Sequence, residues 1–180
     1  MTGPRVAVVG TSGSGKTWLA RRLAERLGAA HVELDALQHG PGWAQATPAE
    51  LRNRTVAALA ATDAWVVDGN YDVTRDLVWP QATALVWLDY PRWFVMSRVV
   101  RRSVARAVTR RELWNGNRED WRGWFDADHP IRWAWSTHAE RRARYTQFSA
   151  APEWSHLRVV RLARPRQARR LLAAIAEPTR

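Results

Sequence analysis

The stretch that most constrains this chain is Gly10-Thr-Ser-Gly-Ser-Gly-Lys-Thr17. It follows the β-branched run Val6–Val9, which reads as a strand buried on both faces. It precedes Leu19, Leu23 and Leu27, which recur every four residues with Arg21, Arg22, Glu25 and Arg26 between them. That spacing predicts an amphipathic helix, and Gly28 is its stop signal. Gly10, Gly13 and Gly15 let the backbone turn sharply, so that successive N–H groups face inward ahead of the positive end of a helix. A strand, a turn of this kind and a helix together make a place for an anion. Lys16 is the only lysine among 28 Lys and Arg residues. An ammonium is thus kept at the one position where a compact, flexible point charge is needed and a planar guanidinium would not fit in the same way.

The pattern GxxxxGK[ST] is the P-loop, or Walker A, signature. Its reading assigns Gly10, Thr11, Ser12, Gly13, Ser14, Gly15, Lys16, Thr17 and Trp18 to the phosphates of ATP. Lys16 would reach the β- and γ-phosphates, and Thr17 would ligate Mg²⁺. A chance Gly/Ser-rich turn is the bland alternative, which the flanking strand and helix argue against.

Further along, "HVELD" (residues 31–35), "WVVD" (65–68), "ALVWLD" (84–89) and "LRVVRL" (157–162) read as four more strands. "TPAE" at Thr47–Glu50 is a capping box with proline at the first helical position, predicting a helix to about Ala61. Pro91 opens a long Arg-rich helix to about Arg111, and Pro165 opens a last one to about Ala176. Strands alternating with helices predict an α/β fold: a three-layer arrangement with a parallel five-stranded sheet. Residues from about 103 to 144 break the rhythm with charged and aromatic residues, and are expected to form a helical lid insertion within a single domain, 1–180.

The net charge of +11 suits an anionic partner. Cysteine is absent, which excludes disulfides and thiolate metal sites. Most of the twelve tryptophans are expected to be core or interface anchors. No apolar run approaches the ~20 residues of a membrane span, and the N-terminal residues lack the pattern of a signal peptide. A soluble cytoplasmic protein, a monomer or weak dimer without a membrane partner, is expected.

Three more stretches carry a resemblance: "HVELDALQHGPGW", "WVVDGNY" and "LDYPRWFVMSRVVRR". With the opening motif they span residues 5–102, and the chain resembles the P-loop small-molecule and nucleoside monophosphate kinases. It is similar, more closely, to the bacterial adenylate-kinase-like proteins known as DNA topology modulation proteins. The resemblance implies the strand order 2-3-1-4-5. It also implies that Asp68 is the Walker B-type carboxylate that orients Mg²⁺ through water. A carboxylate at the C-terminal edge of a strand beside the P-loop fits that task on physical grounds too. Asp89 also ends an apolar strand, but Pro91 and a helix follow, so it reads as a cap.

Asp35 ends the second predicted strand, and an Asp here in shikimate- and gluconate-type kinases meets the acceptor or the metal. It could accept the proton of an attacking hydroxyl; a turn-capping Asp is the alternative. His39 and Trp43 are candidate walls of the acceptor pocket. Arg98 and Arg102 lie one helical turn apart and share a face. They match the adenylate kinase helix whose arginines contact ATP. Arg141, Arg142 and Arg144 lie on the return from the insertion, and Arg141 and Arg142 join the catalytic candidates. The resemblance also has a gap. Adenylate kinases grip the AMP phosphate with two arginines, and Gln38 and Asp72 stand at the comparable positions, with Arg75 as a substitute.

The expected function is ATP- and Mg²⁺-dependent phosphoryl transfer to an unidentified small-molecule or nucleotide acceptor. Two alternatives remain open. Arg98, Arg101, Arg102, Arg106, Arg110 and Arg111, followed by Trp114, Trp121 and Trp124, could track and stack a nucleic acid. A slow ATPase regulator is the other.

Overall fold

The computed structural model describes residues 3–109 and 130–175. Its strands are β1 (Arg5–Gly10), β2 (Ala30–Glu33), β3 (Trp65–Asp68), β4 (Ala84–Leu88) and β5 (Arg158–Leu162). Its helices are α1 (Lys16–Leu27), α2 (Leu34–Gln38), α3 (Pro48–Ala60), α4 (Arg75–Val78), α5 (Arg92–Thr109), α6 (Pro130–Ala150) and α7 (Pro165–Ala174). All strand pairs are parallel, in the order β2-β3-β1-β4-β5, as the resemblance implied.

Side chains alternate across this sheet, so β1 feeds two cores. Val6 and Val8 join Leu19 and Leu23 of α1, Val95 and Val99 of α5 and Leu172 of α7. Ala7 and Val9 join Leu59 of α3, Val78 of α4 and Tyr145 of α6 on the other face. Helices on both faces of the sheet give the three expected layers. Leu19 and Leu23 are almost fully buried, each contributing roughly 1.5–3 kcal/mol of burial. Gly28, at φ 61°, ends α1 by donating its N–H to the Ala24 carbonyl. The Thr47–Glu50 capping box opens α3 as predicted.

The tryptophans divide. Trp65, Trp79 and Trp87 are buried, whereas Trp18, Trp43, Trp93 and Trp135 are exposed. The first group are core anchors, as expected; the second group lie outside the core.

The second strand is shorter than its sequence suggests. β2 ends at Glu33, paired in register with Asp68, and Asp35 lies in the first turn of α2 rather than at a strand end. Leu34 turns inward there and packs over Gly69, where an added Cβ would stand 2.7 Å from Leu34 Cβ. Of the expected insertion, the described ends are helical, and α5 and α6 pack together. Arg110, Arg111, Trp114, Trp121 and Trp124 lie outside the described residues, as does the side chain of Arg106. Because every strand is parallel, Gly10, Glu33, Asp68, Leu88 and Leu162 all end at one edge of the sheet, where a ligand crevice is expected.

Candidate active site

The turn from β1 to α1 forms the floor of that crevice. Gly13 and Gly15 adopt φ 82° and 95°, angles that side chains resist. A Cβ on Gly13 would also collide with the Val99 side chain, and one on Gly15 would stand 3.1 Å from Arg98 Nη2. The Ser14 amide closes the turn onto the Thr11 carbonyl at 3.1 Å. The hydroxyls of Thr11 and Ser14 are buried and have no hydrogen-bond partner among the described residues. Neither residue lines the cavity above the loop; what the loop presents to it is Ser12, Gly13, Gly15, Lys16 and Thr17, a glycine-rich run that suits a phosphate chain.

Above this floor lies a cavity of about 360 Å³. Ser12, Gly13 and the run Gly15 to Trp18 form its base, Glu33 and Asp35 one wall, and Arg98 and Arg102 the other. Lys16 donates to the Thr11 carbonyl at 3.4 Å. Burial lowers its pKa; the charges of Asp35 and Asp68 push it back up, and those of Arg141 and Arg102 push it down. Lys16 therefore sits in the combined field of two carboxylates and two guanidinium groups.

Arg102 Nη2 donates to Ser12 Oγ at 3.3 Å, which holds α5 over the loop. Arg141, on α6, acts on Lys16, Tyr71 and Tyr145 through its charge, so it faces the same centre. Arg142 and Arg144 are directed elsewhere. Arg142 Nε lies 3.0 Å from Asp89 Oδ1, and Arg144 bonds Asp72 at 2.5 Å and Glu140 at 2.6 Å. Asp89 is not the simple cap its position suggests: its buried carboxylate also accepts from Arg161 at 2.5 and 2.9 Å. These pairs tie α6 to the ends of β4 and β5.

Thr17 and Asp68, the expected metal residues, both lie at the sheet edge, but they have different neighbours. Asp68 is buried and hydrogen-bonds His31 Nε2 at 3.1 Å. The carboxylate beside the Thr17 hydroxyl is Glu33, which accepts from it at 3.3 Å. Sequence reading missed Glu33, because it placed the strand end two residues later; the one signal available was an acidic residue next to Leu34 at the close of "HVE". Hydroxyl and carboxylate oxygens suit Mg²⁺, which keeps several waters and leans on substrate phosphates. Among the described residues no group of three or more His, Asp or Glu side chains forms a protein-only metal cage.

The loop after β3 connects the site's parts. Asn70 bonds both backbone groups of Gly10: its Oδ1 accepts from the Gly10 amide at 3.2 Å, and its side-chain amide donates to the Gly10 carbonyl. The same Oδ1 accepts from the Tyr145 hydroxyl at 2.9 Å. Tyr71 donates its phenolic proton to Asp35 Oδ1 at 2.8 Å. Neither Asn70 nor Tyr71 was singled out from the sequence, since neither shows a role until the loop is folded. His39 and Trp43 meet edge to face, with ring centroids 5.7 Å apart. Gln38 is buried and donates to the Ala46 carbonyl at 3.2 Å, while Asp72 holds Arg144 and Arg75, whose guanidinium lies 4.0 Å from the centre of the Phe148 ring.

No family model matches the chain, and no curated protein matches it. Solved structures do. A shikimate kinase from Acinetobacter baumannii, in complex with shikimate, superposes with a TM-score of 0.57 at 19% identity, over 97% of this chain and 91% of that one. A gluconokinase from Sinorhizobium meliloti 1021 gives 0.52 at 20% identity, over 97% and 94%. A shikimate kinase from Bacteroides thetaiotaomicron gives 0.52 at 14%, over 95% of each. The chain has the P-loop kinase fold. The match runs nearly end to end, so the P-loop kinase fold accounts for the sheet and its covering helices together. Among the described residues, no helix is long and apolar enough to cross a membrane.

Proposed function

We propose that the protein is an ATP-dependent kinase that phosphorylates a small, hydroxyl-bearing acceptor. One observation carries this reading: a single cavity joins Lys16 and Thr17 on its floor, Asp35 on one wall and Arg98 with Arg102 on the other. That set supplies phosphate binding, a proton acceptor and charge neutralisation within one cavity. The solved structures that share the fold include a shikimate kinase in complex with shikimate and a gluconokinase, which supports a small-molecule acceptor. A nucleotide acceptor of the adenylate kinase type has less support. Gln38 spends its amide on Ala46 and Asp72 binds arginines, so neither position offers a grip on an AMP phosphate.

In this reading the amides of the 10–17 loop and Lys16 hold the nucleotide phosphates. Thr17, Glu33 and Asp68 are the residues that would hold Mg²⁺, directly or through water. The metal supplies charge neutralisation at the phosphates. Asp35 receives the acceptor's hydroxyl proton. Arg98, Arg102 and Arg141 stabilise negative charge on the transferring group and displace water from it. Arg142, committed to Asp89, fixes α6 in place. A cytoplasmic setting, where ATP is abundant, suits this activity.

The test is ADP formation from ATP and Mg²⁺ with and without a panel of acceptors: sugar acids, shikimate-like polyols, nucleosides and nucleoside monophosphates, with single-stranded DNA in parallel. A large rise with one hydroxyl compound is the expected result. Stimulation by DNA alone would overturn the reading and point to the nucleic-acid alternative.

A further inference from the structure

We infer that Tyr71 is a positioning residue for Asp35, and that the adjacent pair Asn70-Tyr71 sets the distance between the nucleotide loop and the acceptor carboxylate. The inference rests on the kinase reading above and deepens it. β3 pairs with β1 only as far as Val8↔Asp68, and Gly69, at φ 144°, then leaves the strand path. At the next residue the Asn70 side chain takes over the ladder, meeting the amide and the carbonyl of Gly10. The backbone at residue 70 is thereby fixed to the first glycine of the phosphate loop. Tyr71 leaves that fixed point toward the opposite wall and delivers its proton to Asp35 Oδ1.

Asp35 needs such a partner because of where it sits. It lies on α2, a helix of five residues, too short to hold a charged side chain still by itself. Tyr71 occupies one carboxylate oxygen and leaves the other for an acceptor hydroxyl. A phenol here remains a donor at any working pH: burial first, and then the charge of Asp35 and the hydrogen bond to it, push its pKa far above the ordinary value. The chain Gly10–Asn70–Tyr71–Asp35 therefore fixes a reacting geometry between two elements that share no backbone pairing. Misplacement of a reacting group by about 1 Å can lower a rate by ~10²-fold, so this loop bears on turnover without touching either substrate phosphate.

The experiment is a double-mutant cycle on acceptor-stimulated turnover with wild type, Tyr71→Phe, Asp35→Asn and the double variant. Tyr71→Phe should lower kcat roughly 10-fold while the KM for ATP stays within about 2-fold. In the Asp35→Asn background the same change should have no further effect. Should Tyr71→Phe fail to fold, as judged by its thermal melt, O-methyltyrosine at position 71 keeps the ring and the oxygen and removes only the proton; the same loss is expected. An unchanged kcat overturns the inference. So does a multiplicative loss in the double variant, or a rise in the KM for ATP that matches the fall in kcat; either marks a general structural role. If wild type phosphorylates no acceptor, the kinase reading itself fails and takes this one with it, an outcome distinct from active wild type with an indifferent Tyr71→Phe.

Discussion

The floor of the cavity comes from one continuous run, Gly10–Thr17, and in the proposed reading its working groups are mostly backbone amides aimed by three glycines. The walls are assembled from residues far apart in the chain: Glu33 from β2, Asp35 from α2, Arg98 and Arg102 from α5, with Arg141 approaching from α6. The two constructions fail in different ways. A contiguous backbone site depends on its own local geometry and resists changes elsewhere. An assembled site depends on every contact that holds its elements in register. Here those contacts are specific side-chain pairs: Tyr71 on Asp35, Arg102 on Ser12, and Arg142 with Arg161 on Asp89.

The sharpest break between the two is expected at Lys16. Lys16→Ala should reduce acceptor-stimulated turnover by ~10³-fold or more, because it removes the ammonium from the phosphates at the moment charge moves. The fold should survive, since among the described residues Lys16 makes only one hydrogen bond, a long one, and a thermal melt close to wild type checks this. An unchanged rate would remove the floor from the mechanism.

The floor was legible before the structure for a physical reason. Its function needs a fixed spacing of glycines, lysine and threonine along one segment, so the pattern survives in one dimension. The place of Asp68 at the end of a strand and the sheet order were reachable too, through strand periodicity and resemblance. Glu33 and Tyr71 were not. Glu33 matters because it falls beside Thr17 when β2 lies next to β3 and α1 follows β1, a three-element coincidence. Tyr71 matters because Gly69 redirects the chain toward α2. The Asp89 carboxylate reads as a cap in sequence for the same reason: its partners, Arg142 and Arg161, arrive from elements more than fifty residues away.

Gly13→Ala tests whether the floor is as local as it looks. The new Cβ meets Val99 of α5 at a strained φ, so a loss of about 3 kcal/mol is expected in urea unfolding. Asp89→Ala probes the walls. It releases Arg142 and Arg161 from a buried carboxylate and should cost about 2 kcal/mol, with a larger fall in kcat than in nucleotide affinity if α6 carries Arg141 out of place. Equal losses in both would show floor and wall to be one mechanical unit.

The smallest effect is a pH dependence. Burial raises the Tyr145 pKa to about 12, above the ~10 of an exposed phenol. The folded state holds that proton more tightly than the unfolded chain. The resulting stability is complete below pH ~10 and is lost as pH rises through about 12. Tyr145→Phe should flatten this alkaline decline in a series of melts, leaving the part that belongs to Tyr71 and Tyr90, whose pKa values are also raised.

The single lysine has a practical consequence. Its amine lies in the cavity, with burial favouring the neutral and therefore nucleophilic form. Apart from the terminal α-amine, no other primary amine exists in the chain. An acylating reagent that targets amines therefore finds one side chain, and that side chain lies where the phosphates of a nucleotide would rest. The protein carries its own occupancy reporter: the rate at which Lys16 is modified, with and without a candidate ligand, reads how full the cavity is, before any reaction catalysed there has been found.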